Sequence, residues 1–332
     1  MISKERVLLF CPKTFNYEKE IELALQRRGA EVTYLKDRPW NSALLKGLCR
    51  LFPRVAWIIA DVYYSKWMEV SAPTAVDVVL VVKGEAVSPR TLRRLRARYS
   101  SARFVLYLWD SVSNVRRVET KFGIFDDLFS FDSTDCQVYE RLRYRPLFYL
   151  EQYRKRSAGV SAGAGCFFLG TLNGNRPKVL WRLELALDGI STLDYWLFVR
   201  SGLELRLRML FDRSLRRLDP KRLIRRPLTS TDIAGRLAAA AAVVDIEHPR
   251  QAGLTMRTFE VLASGRKLIT TNRRIQNEEF YHPSRILVID HDCPNVPEGF
   301  LCSEFSPLGE SFFARYSIDG WISDVLSNHA AH

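Results

Sequence analysis

The chain, 332 residues long, lacks any long uninterrupted apolar segment. Its longest apolar stretches, such as Val78–Val82 and Leu237–Val244, are far shorter than the ~20 residues that a helix needs to cross a bilayer. Met1–Phe10 leads directly into an apolar strand pattern and lacks the layout of a signal peptide. We therefore expect a cytoplasmic protein without a membrane-spanning helix.

Cysteine is scarce and shows no pairing pattern. No two cysteines are spaced as Cys-x-x-Cys, which argues against a zinc site or a disulfide framework and favours reduced thiols. The six cysteines are Cys11, Cys49, Cys136, Cys166, Cys293 and Cys302. No Asp-x-Asp pattern suggests a metal site either, since the nearest, Asp290 to Asp292, is predicted to be a solvated loop. We expect no metal and no other cofactor.

Acidic residues are outnumbered, because 50 Lys and Arg face 37 Asp and Glu and give a net charge of +13. The excess lies mainly in two stretches. In the first, Arg90, Arg94 and Arg98 share one face of a predicted helix, since residues four apart in a helix lie on the same side. The second, Arg200–Arg226, holds ten basic residues against three acidic ones.

Two kinds of partner suit these basic stretches. Anionic lipid headgroups attract each basic residue near a membrane surface by about 1 kcal/mol, and a polyanionic acceptor would be attracted in the same way. The alternative is a solvated helix face with no partner. Nucleic acid is not expected, because no helix-turn-helix, zinc-finger or RNP-like motif accompanies the charge.

Strand and helix patterns alternate from the start of the chain. Arg6–Phe10 is an apolar strand pattern, Tyr17–Arg28 is an amphipathic helix closed by a glycine, and Glu31–Leu35 is a second strand pattern. Such β-α-β units build parallel, doubly wound sheets with right-handed crossovers. Further strands are predicted at Asp77–Lys83, Arg103–Trp109, Asp127–Phe131, Cys166–Leu169, Thr192–Val199, Ala241–Ile246, Lys267–Thr271 and Ile286–Ile289.

A segment of small residues, Ser157–Gly165, divides this alternation into two halves. Within the first half, Asp132 is predicted to cap a helix that runs to about Tyr144. We therefore expect an α/β protein with two Rossmann-like, doubly wound domains. The predicted boundaries are 1–156 for the first domain, 157–165 for the linker, 166–310 for the second domain and 311–332 for a C-terminal helix.

The segment Gly253–Gly265 carries the most specific chemistry in the chain. Thr255 is a suitable N-cap, so the free N–H groups of the first turn would point out of a helix start that attracts phosphate. Arg257 lies in that turn and Glu260 follows three residues later on the same face. The Arg suits a pyrophosphate and the Glu can accept hydrogen bonds from a ribose diol, so the segment predicts a nucleoside diphosphate site.

This segment resembles the donor-binding motif of sugar-nucleotide-dependent glycosyltransferases of the GT-B architecture. It is most similar to group-1-type transferases related to spore-maturation, capsule and lipopolysaccharide biosynthesis proteins. In those families a Glu at the position of Glu260 holds the ribose, and the pattern Glu-x-x-Ala-x-Gly is matched here by Glu260, Ala263 and Gly265. Many retaining members carry a second Glu where this chain has Ala252, which leaves the stereochemical outcome of transfer open.

The resemblance implies a GT-B fold, in which two Rossmann-like domains face a cleft and the second domain binds the donor. It also implies that the C-terminal helix packs back toward the first domain. Relatives stabilise the leaving diphosphate with helix dipoles and basic side chains, so the resemblance implies metal-independent transfer.

Other residues are predicted to line the donor site. Gly170 opens a glycine-containing loop after the first strand of the second half, and Arg176 could add positive charge there. His248 follows a predicted strand just before the motif, and Lys267 begins the strand after it. For each residue the alternative is an ordinary structural position in a loop or at a strand end.

The acceptor side would require a general base if the reaction inverts configuration. Asp110 follows the strand that ends at Trp109, and Glu85 follows the strand that ends at Lys83, so either could present a carboxylate at a strand end. Asp110 is preferred over Glu85, although it could instead form a turn. Glu18 is a further carboxylate after the first strand, but it could simply complement the helix dipole.

These features predict a glycosyltransferase that moves a sugar from a nucleotide-sugar donor to a cell-surface glycan or lipid-linked acceptor. Its expected place is the cytoplasm, including the inner face of the membrane if the basic stretches bind lipid. One alternative is a sugar-nucleotide epimerase of the same fold. Another is a non-catalytic scaffold that binds nucleotide sugars or glycans, which the missing carboxylate at Ala252 keeps open.

Overall fold

The structure, a computed structural model, describes residues 4–38, 52–154, 164–199, 201–226, 228–247 and 252–327. The chain divides into two compact units. One comprises Met1–Leu147 together with Ile318–His332, and the other comprises Phe148–Ser317. His248 and Arg200 lie outside the described residues, as does the predicted linker as far as residue 163.

The described part of the first unit contains a six-stranded, fully parallel sheet. The strands are β1 Arg6–Cys11, β2 Glu31–Lys36, β3 Val78–Val82, β4 Arg103–Leu108, β5 Asp127–Ser130 and β6 Leu142–Tyr144. Their order in the sheet is β2-β1-β3-β4-β5-β6. Every side chain of the central strand β3 is buried, which explains its continuous run of valine and leucine.

Helices of the first unit begin where the sequence supplies caps. Ser88 accepts a hydrogen bond from the N–H of Thr91 and a proline follows it, so the basic helix begins at Pro89. Leu92 and Leu95 of that helix are buried against the sheet. The described α-helices of this unit are Tyr17–Arg27, Pro53–Val70, Pro89–Arg98, Ser133–Val138 and Ile318–Leu326.

The helix predicted to run from Asp132 to about Tyr144 is much shorter in the structure. Its start is as expected, because the Asp132 carboxylate accepts the N–H of Thr134. The helix ends at Val138, and strand β6 follows and pairs with β5. The prediction of a long helix was wrong because Leu142 is buried at the sheet edge, so tertiary burial outweighs local helix propensity.

The last described helix, Ile318–Leu326, belongs to the first unit. Trp321 is fully buried and meets the ring of Tyr107 edge-on, with ring centroids 4.7 Å apart. Asp324 pairs with Arg145 at 2.7 Å, and Arg103 donates to the carbonyl of Leu326, also at 2.7 Å. The helix Glu310–Tyr316, immediately before it in sequence, belongs to the second unit.

The described part of the second unit also contains a six-stranded parallel sheet. The strands are β7 Cys166–Thr171, β8 Leu193–Phe198, β9 Leu223–Ile224, β10 Ala242–Asp245, β11 Lys267–Thr270 and β12 Ile286–Val288. Their order in the sheet is β12-β11-β10-β7-β8-β9. The two-residue strand β9 was not predicted, because it is too short to show a pattern.

Helices cover this second sheet. Arg176–Ala186 buries Val179, Leu180 and Leu183, and a separate aromatic group packs around the buried ring of Phe259. The described α-helices of the unit are Arg176–Ala186, Gly202–Phe211, Ser230–Ala239, Met256–Ala263, Glu298–Cys302 and Glu310–Tyr316.

In each sheet, the side on which the chain adds new strands changes once. In the first unit β1 lies between β2 and β3, and in the second unit β7 lies between β8 and β10. The chain therefore leaves each of these strands toward one side and later returns on the other. In open α/β sheets, ligands bind in the crevice that this switch opens beyond the carboxyl ends of the strands. The ends of β7 and β10 are thus the expected ligand position of the second unit.

Candidate functional site

The motif helix, Met256–Ala263, follows β10 and confirms the predicted helix with its glycine exit. Thr255 occupies the N-cap position in an extended conformation. At the other end Gly265 has φ +68°, and its N–H donates to the carbonyl of Leu262 at 3.0 Å. Only glycine adopts this left-handed conformation without strain, so Gly265 ends the helix and directs the chain into β11.

Asp245 fixes the start of the motif helix to the end of β10. Its carboxylate is only 9% exposed and accepts hydrogen bonds from the hydroxyl groups of Thr255 at 2.6 Å and Thr258 at 3.4 Å. The Thr255 side chain, in contrast, makes no capping hydrogen bond within the described residues. The sequence analysis did not predict a role for Asp245. An acidic residue at the end of an apolar strand could have indicated one.

Arg257 and Glu260 form an ion pair, with Nη1 and Oε2 3.1 Å apart. The predicted common face is therefore present, but the pair is more buried than a surface helix pair, with side chains 19% and 2% exposed. Tyr153 covers it: its hydroxyl receives a hydrogen bond from Arg257 and lies close to Glu260. Burial, together with Glu260, raises the pKa of Tyr153 to about 12. The phenol therefore remains neutral beside the carboxylate at physiological pH.

Arg176 joins the two strands at the switch point. Its guanidinium donates to the carbonyl of Ile246 at 2.9 and 3.1 Å and to the carbonyl of Thr171 at 3.0 Å. Burial lowers its pKa from the usual value, yet an arginine remains charged at any physiological pH. A fixed positive charge thus lies between the ends of β7 and β10, close in the fold to the motif helix.

Gly170 lies within β7 rather than in the loop that follows it. A Cβ atom at this position would come within 2.7 Å of the Phe168 ring and 3.3 Å of Arg176 Nη1. The absence of a side chain therefore gives the Arg176 guanidinium room at the end of the strand. Gly170 thus allows the guanidinium of Arg176 to occupy its position at the end of the strand.

Lys267 does not join these residues. It is the first residue of β11, at the amino end of the strand, whereas the motif helix begins at the carboxyl edge of the sheet. Its buried ammonium group donates to the carbonyls of Phe300, Leu301 and Ser303 at the end of a short helix. The structure therefore assigns Lys267 a role in holding that helix rather than a place in the candidate site.

Glu247 and His291 form a second polar group near the switch point, which the sequence did not reveal. Glu247 Oε1 lies 3.5 Å from His291 Nε2, and Asn175 Nδ2 lies 3.3 Å from the other ring nitrogen. Burial raises the pKa of Glu247, and the nearby His291 offsets part of that shift. Asp292, predicted to be a solvated loop residue, pairs with Lys178 at 2.7 Å.

In the first unit, Lys83 brings the two predicted acceptor-side carboxylates together. Its Nζ lies 2.5 Å from Asp110 Oδ2 and 3.4 Å from Glu85 Oε2, and Glu85 also pairs with Arg38. Burial alone would raise the pKa of Glu85, but Lys83 and Arg38 outweigh it and lower that pKa. Glu85 is therefore held as a carboxylate with reduced affinity for a proton.

Two buried side chains, an aspartate and a lysine, support the turn after β3. Asp37 and Lys121 are both fully buried. The Asp37 carboxylate accepts the N–H groups of Glu85 at 3.1 Å and Ala86 at 3.2 Å, while Lys121 Nζ donates to the carbonyl of Gly84 at 2.5 Å. Burial raises the pKa of Asp37 and lowers that of Lys121 to about 8. The pair therefore sets the position of Glu85.

Glu18 lies just beyond β1, the switch strand of the first sheet. Its side chain is 2% exposed, and Oε2 accepts the N–H of Thr14 at 3.1 Å. The other oxygen, Oε1, is buried and has no hydrogen-bond partner among the described residues. An unsatisfied carboxylate oxygen is costly, so this atom is available for a hydroxyl donor.

Neither a metal-binding cluster nor a membrane-spanning helix occurs among the described residues. Across the described ranges, no group of three or more His, Cys, Asp or Glu side chains is arranged to hold a metal ion. Within those ranges, too, no helix combines the length and apolar character needed to span a bilayer.

The arrangement of the sheets defines the class of fold, which is GT-B. A glycosyltransferase from Rickettsia africae ESF-5 matches with a TM-score of 0.55 at 10% identity, covering 98% of this chain and 100% of that one. The lipopolysaccharide outer core galactosyltransferase WaaB matches with a TM-score of 0.50 at 12% identity, covering 97% and 99%. A UDP-N-acetylglucosamine 2-epimerase matches with a TM-score of 0.52 at 10% identity, covering 98% and 95%.

These likenesses confirm the predicted α/β, two-domain GT-B fold. At such low identity they define the fold alone, since enzymes of different activity share it. No protein-family model matches the chain, and a sequence comparison with curated proteins finds no match. The activity therefore has to be argued from the site.

Proposed function

We propose that the protein is a glycosyltransferase that moves a sugar from a nucleotide-sugar donor to a cell-surface glycan or lipid-linked acceptor. One observation carries the proposal: Arg257, in the first turn of a helix that starts beside the switch point of a parallel sheet, forms a buried pair with Glu260 three residues later. A helix start, a guanidinium and a carboxylate in this order match a diphosphate followed by a ribose.

Donor binding would exchange the partners of this pair. Arg257 is the more exposed member, so its guanidinium can turn toward a diphosphate at the helix start. Glu260 would then need new donors, and the two hydroxyl groups of a ribose supply them. Arg176 adds a second positive charge at the switch point. Since one protein of this fold is named for a uridine diphosphate sugar, UDP is the nucleotide to test first.

Transfer needs little more than charge stabilisation and one proton acceptor. The acceptor oxygen bonds to the anomeric carbon, the bond to the diphosphate breaks, and the hydroxyl proton passes to a carboxylate. The helix start, Arg257 and Arg176 would stabilise the leaving diphosphate without a metal. Asp110, Glu85 and Glu18 are the candidate bases, and Glu18 alone among these three retains a buried oxygen without a described partner.

The test is UDP release from a panel of UDP-sugars mixed with glycan and lipid-linked acceptors. Asp110→Asn, Glu85→Gln and Glu18→Gln are compared with Glu69→Gln, an exposed glutamate of the same unit. A general base contributes about 10²- to 10⁴-fold, so one of the three variants should lose that much activity while binding donor normally. Donor binding without release over the whole acceptor panel would contradict transfer and favour a non-catalytic scaffold.

The Glu247–His291 contact favours an epimerase as the second candidate. Burial raises the pKa of Glu247, so its carboxyl group can hold a proton more readily, and the imidazole of His291 lies 3.5 Å away to exchange it. An epimerase would convert a nucleotide sugar in the absence of acceptor and would incorporate deuterium from D₂O into the sugar. His291→Asn should then abolish that exchange, whereas a transferase would show none in either protein.

The proposed place of action is the cytoplasm, with the protein bound peripherally to the inner face of the membrane where lipid-linked acceptors are found. The basic stretches support this proposal. In the first stretch, Arg90, Arg94 and Arg98 are exposed, although Arg94 also donates to the hydroxyl of Ser65.

A further inference from the structure

One helix of the second unit exposes an apolar stripe to solvent. Four apolar side chains of Gly202–Phe211 are largely exposed in the described structure: Leu203 69%, Leu207 51%, Leu210 66% and Phe211 86%. They are spaced three and four residues apart, so they lie on one side of the helix. Elsewhere among the described residues of this unit, large exposed apolar side chains occur singly, as at Leu185 and Ile190.

The opposite side of the helix already attaches it to the protein. Leu205 and Met209 pack against the core of the second unit. At about 100° per residue these two point roughly opposite to Leu207. The exposed stripe is therefore not needed to hold the helix in place, and it remains available for a partner outside the unit.

Arginines border this stripe on both sides. Arg206 and Arg208 precede and follow Leu207 in the helix, so they lie on opposite flanks of the stripe. Arg216 donates to the carbonyls of Met209 and Leu210 and so caps the helix end. Among the described residues from 206 to 226, the exposed basic side chains are Arg206, Arg213, Arg216, Arg217, Lys221, Arg225 and Arg226.

The surface is also concave. An open depression of about 590 Å³ is lined by Leu207, Arg208, Phe211, Asp212 and Arg213. Apolar and guanidinium groups thus face the same space. This combination suits an amphiphile with an acyl chain and an anionic headgroup better than it suits a wholly polar or wholly apolar ligand.

We propose that this stripe, Leu203, Leu207, Leu210 and Phe211, inserts into the surface of an anionic phospholipid bilayer. The apolar side chains enter the boundary of the acyl region, while the flanking arginines meet lipid phosphates. Charge decides against a second copy of the chain as the partner. Two such faces would bring like charges together in a protein of net charge +13, whereas anionic lipid neutralises them.

Lipid binding by this stripe rests on the proposed function only for the place of the protein at the membrane. Lipid binding does not require the nucleotide site to be correct. Its readout is vesicle binding, whereas the proposed transfer is read by UDP binding and release, so either can fail while the other holds.

The test is flotation of the full chain with vesicles of equal parts phosphatidylglycerol and phosphatidylcholine, compared with pure phosphatidylcholine. Leu207→Ser combined with Phe211→Ser should weaken binding to the anionic vesicles by at least about tenfold, near 1.4 kcal/mol. Arg206→Glu combined with Arg213→Glu should weaken it similarly and reduce its sensitivity to salt. Leu185→Ser, an exposed leucine of the same unit, is the matched control and should bind normally.

Three results would overturn the proposal. Equal binding to both kinds of vesicle, or none, would exclude recognition of anionic lipid. Unchanged binding by the two double variants, with loss in Arg90→Glu combined with Arg94→Glu, would move the surface to the first basic helix. Dimers that dissociate on Phe211→Ser, seen by light scattering without vesicle binding, would show that the stripe is a self-association face.

Discussion

Glu260→Gln and Arg257→Leu separate the ligand-binding role of the ion pair from its structural role. In the leucine variant, a carboxylate that is 2% exposed loses its contact with the guanidinium of Arg257. Removing one member of a buried pair costs about 3–5 kcal/mol. For a unit of this size each kcal/mol lowers the Tm by about 2–4 °C, so the expected loss is about 6–20 °C. The glutamine variant keeps the side-chain shape and leaves Arg257, which reaches solvent, so its Tm should fall less.

Binding of UDP should respond differently from stability. Hydrogen bonds from a ribose to a charged carboxylate are worth about 1.5–3 kcal/mol, which corresponds to about 10- to 150-fold in Kd. Glu260→Gln should therefore lose that much UDP affinity while it remains folded. Arg257→Leu should lose affinity and stability together, because the guanidinium serves both the phosphate and the buried carboxylate.

Isothermal titration with UDP and thermal unfolding of the same preparations measure the two effects. Glu279→Gln is the matched control, because Glu279 is a largely exposed glutamate of the same unit that pairs with Arg315. It should change neither quantity. UDP affinity of Glu260→Gln within twofold of the original protein would refute the ribose role, and an unchanged Tm of Arg257→Leu would refute the structural role.

Three further predictions concern stability. Trp321→Ala should lower the free energy of unfolding by about 3–5 kcal/mol in urea titrations, because the side chain is fully buried. The pKa of Lys121 is about 8 in the folded protein and near its usual value in the unfolded chain. Between those two pH values the unfolded chain therefore binds more protons than the folded protein. Lys121 should therefore contribute a rise in stability of about 3 kcal/mol between pH 8 and 10.5. This contribution is measured as the change with pH in the stability difference between the original protein and Lys121→Met. Asp245→Ala should cost about 1–3 kcal/mol and weaken UDP binding, as calorimetry can measure, because Thr255 and Thr258 lose their acceptor.

Local sequence patterns were sufficient for the motif helix and for the described strands other than β6 and β9. Buried parallel strands such as β3 need continuous apolar runs, and the glycine at 265 is required by a left-handed backbone. These features depend on neighbouring residues only. That is why the order of strands and helices, and the relation of Arg257 to Glu260, could be anticipated from the residues alone.

Long-range contacts could not be anticipated in the same way. The partners of Asp37 lie about 50 residues away in sequence, at Glu85 and Ala86. Likewise Glu247 meets His291 only because two loops converge beyond one sheet edge. Lys267 was predicted to line the ligand site because it lies at a strand end. Its ammonium group instead donates to carbonyl groups at the opposite edge of the sheet. A periodicity or a spacing holds no information on such pairings.

The central claim is that the second unit binds a nucleoside diphosphate, and UDP-dependent thermal stabilisation tests it most directly. At about 100 times its Kd, UDP should add roughly 2.7 kcal/mol, or about 5–11 °C for a unit of this size. The shift should be the same with and without Mg²⁺ and should be much reduced in Glu260→Gln. No stabilisation by UDP or by any other nucleoside diphosphate would contradict the account.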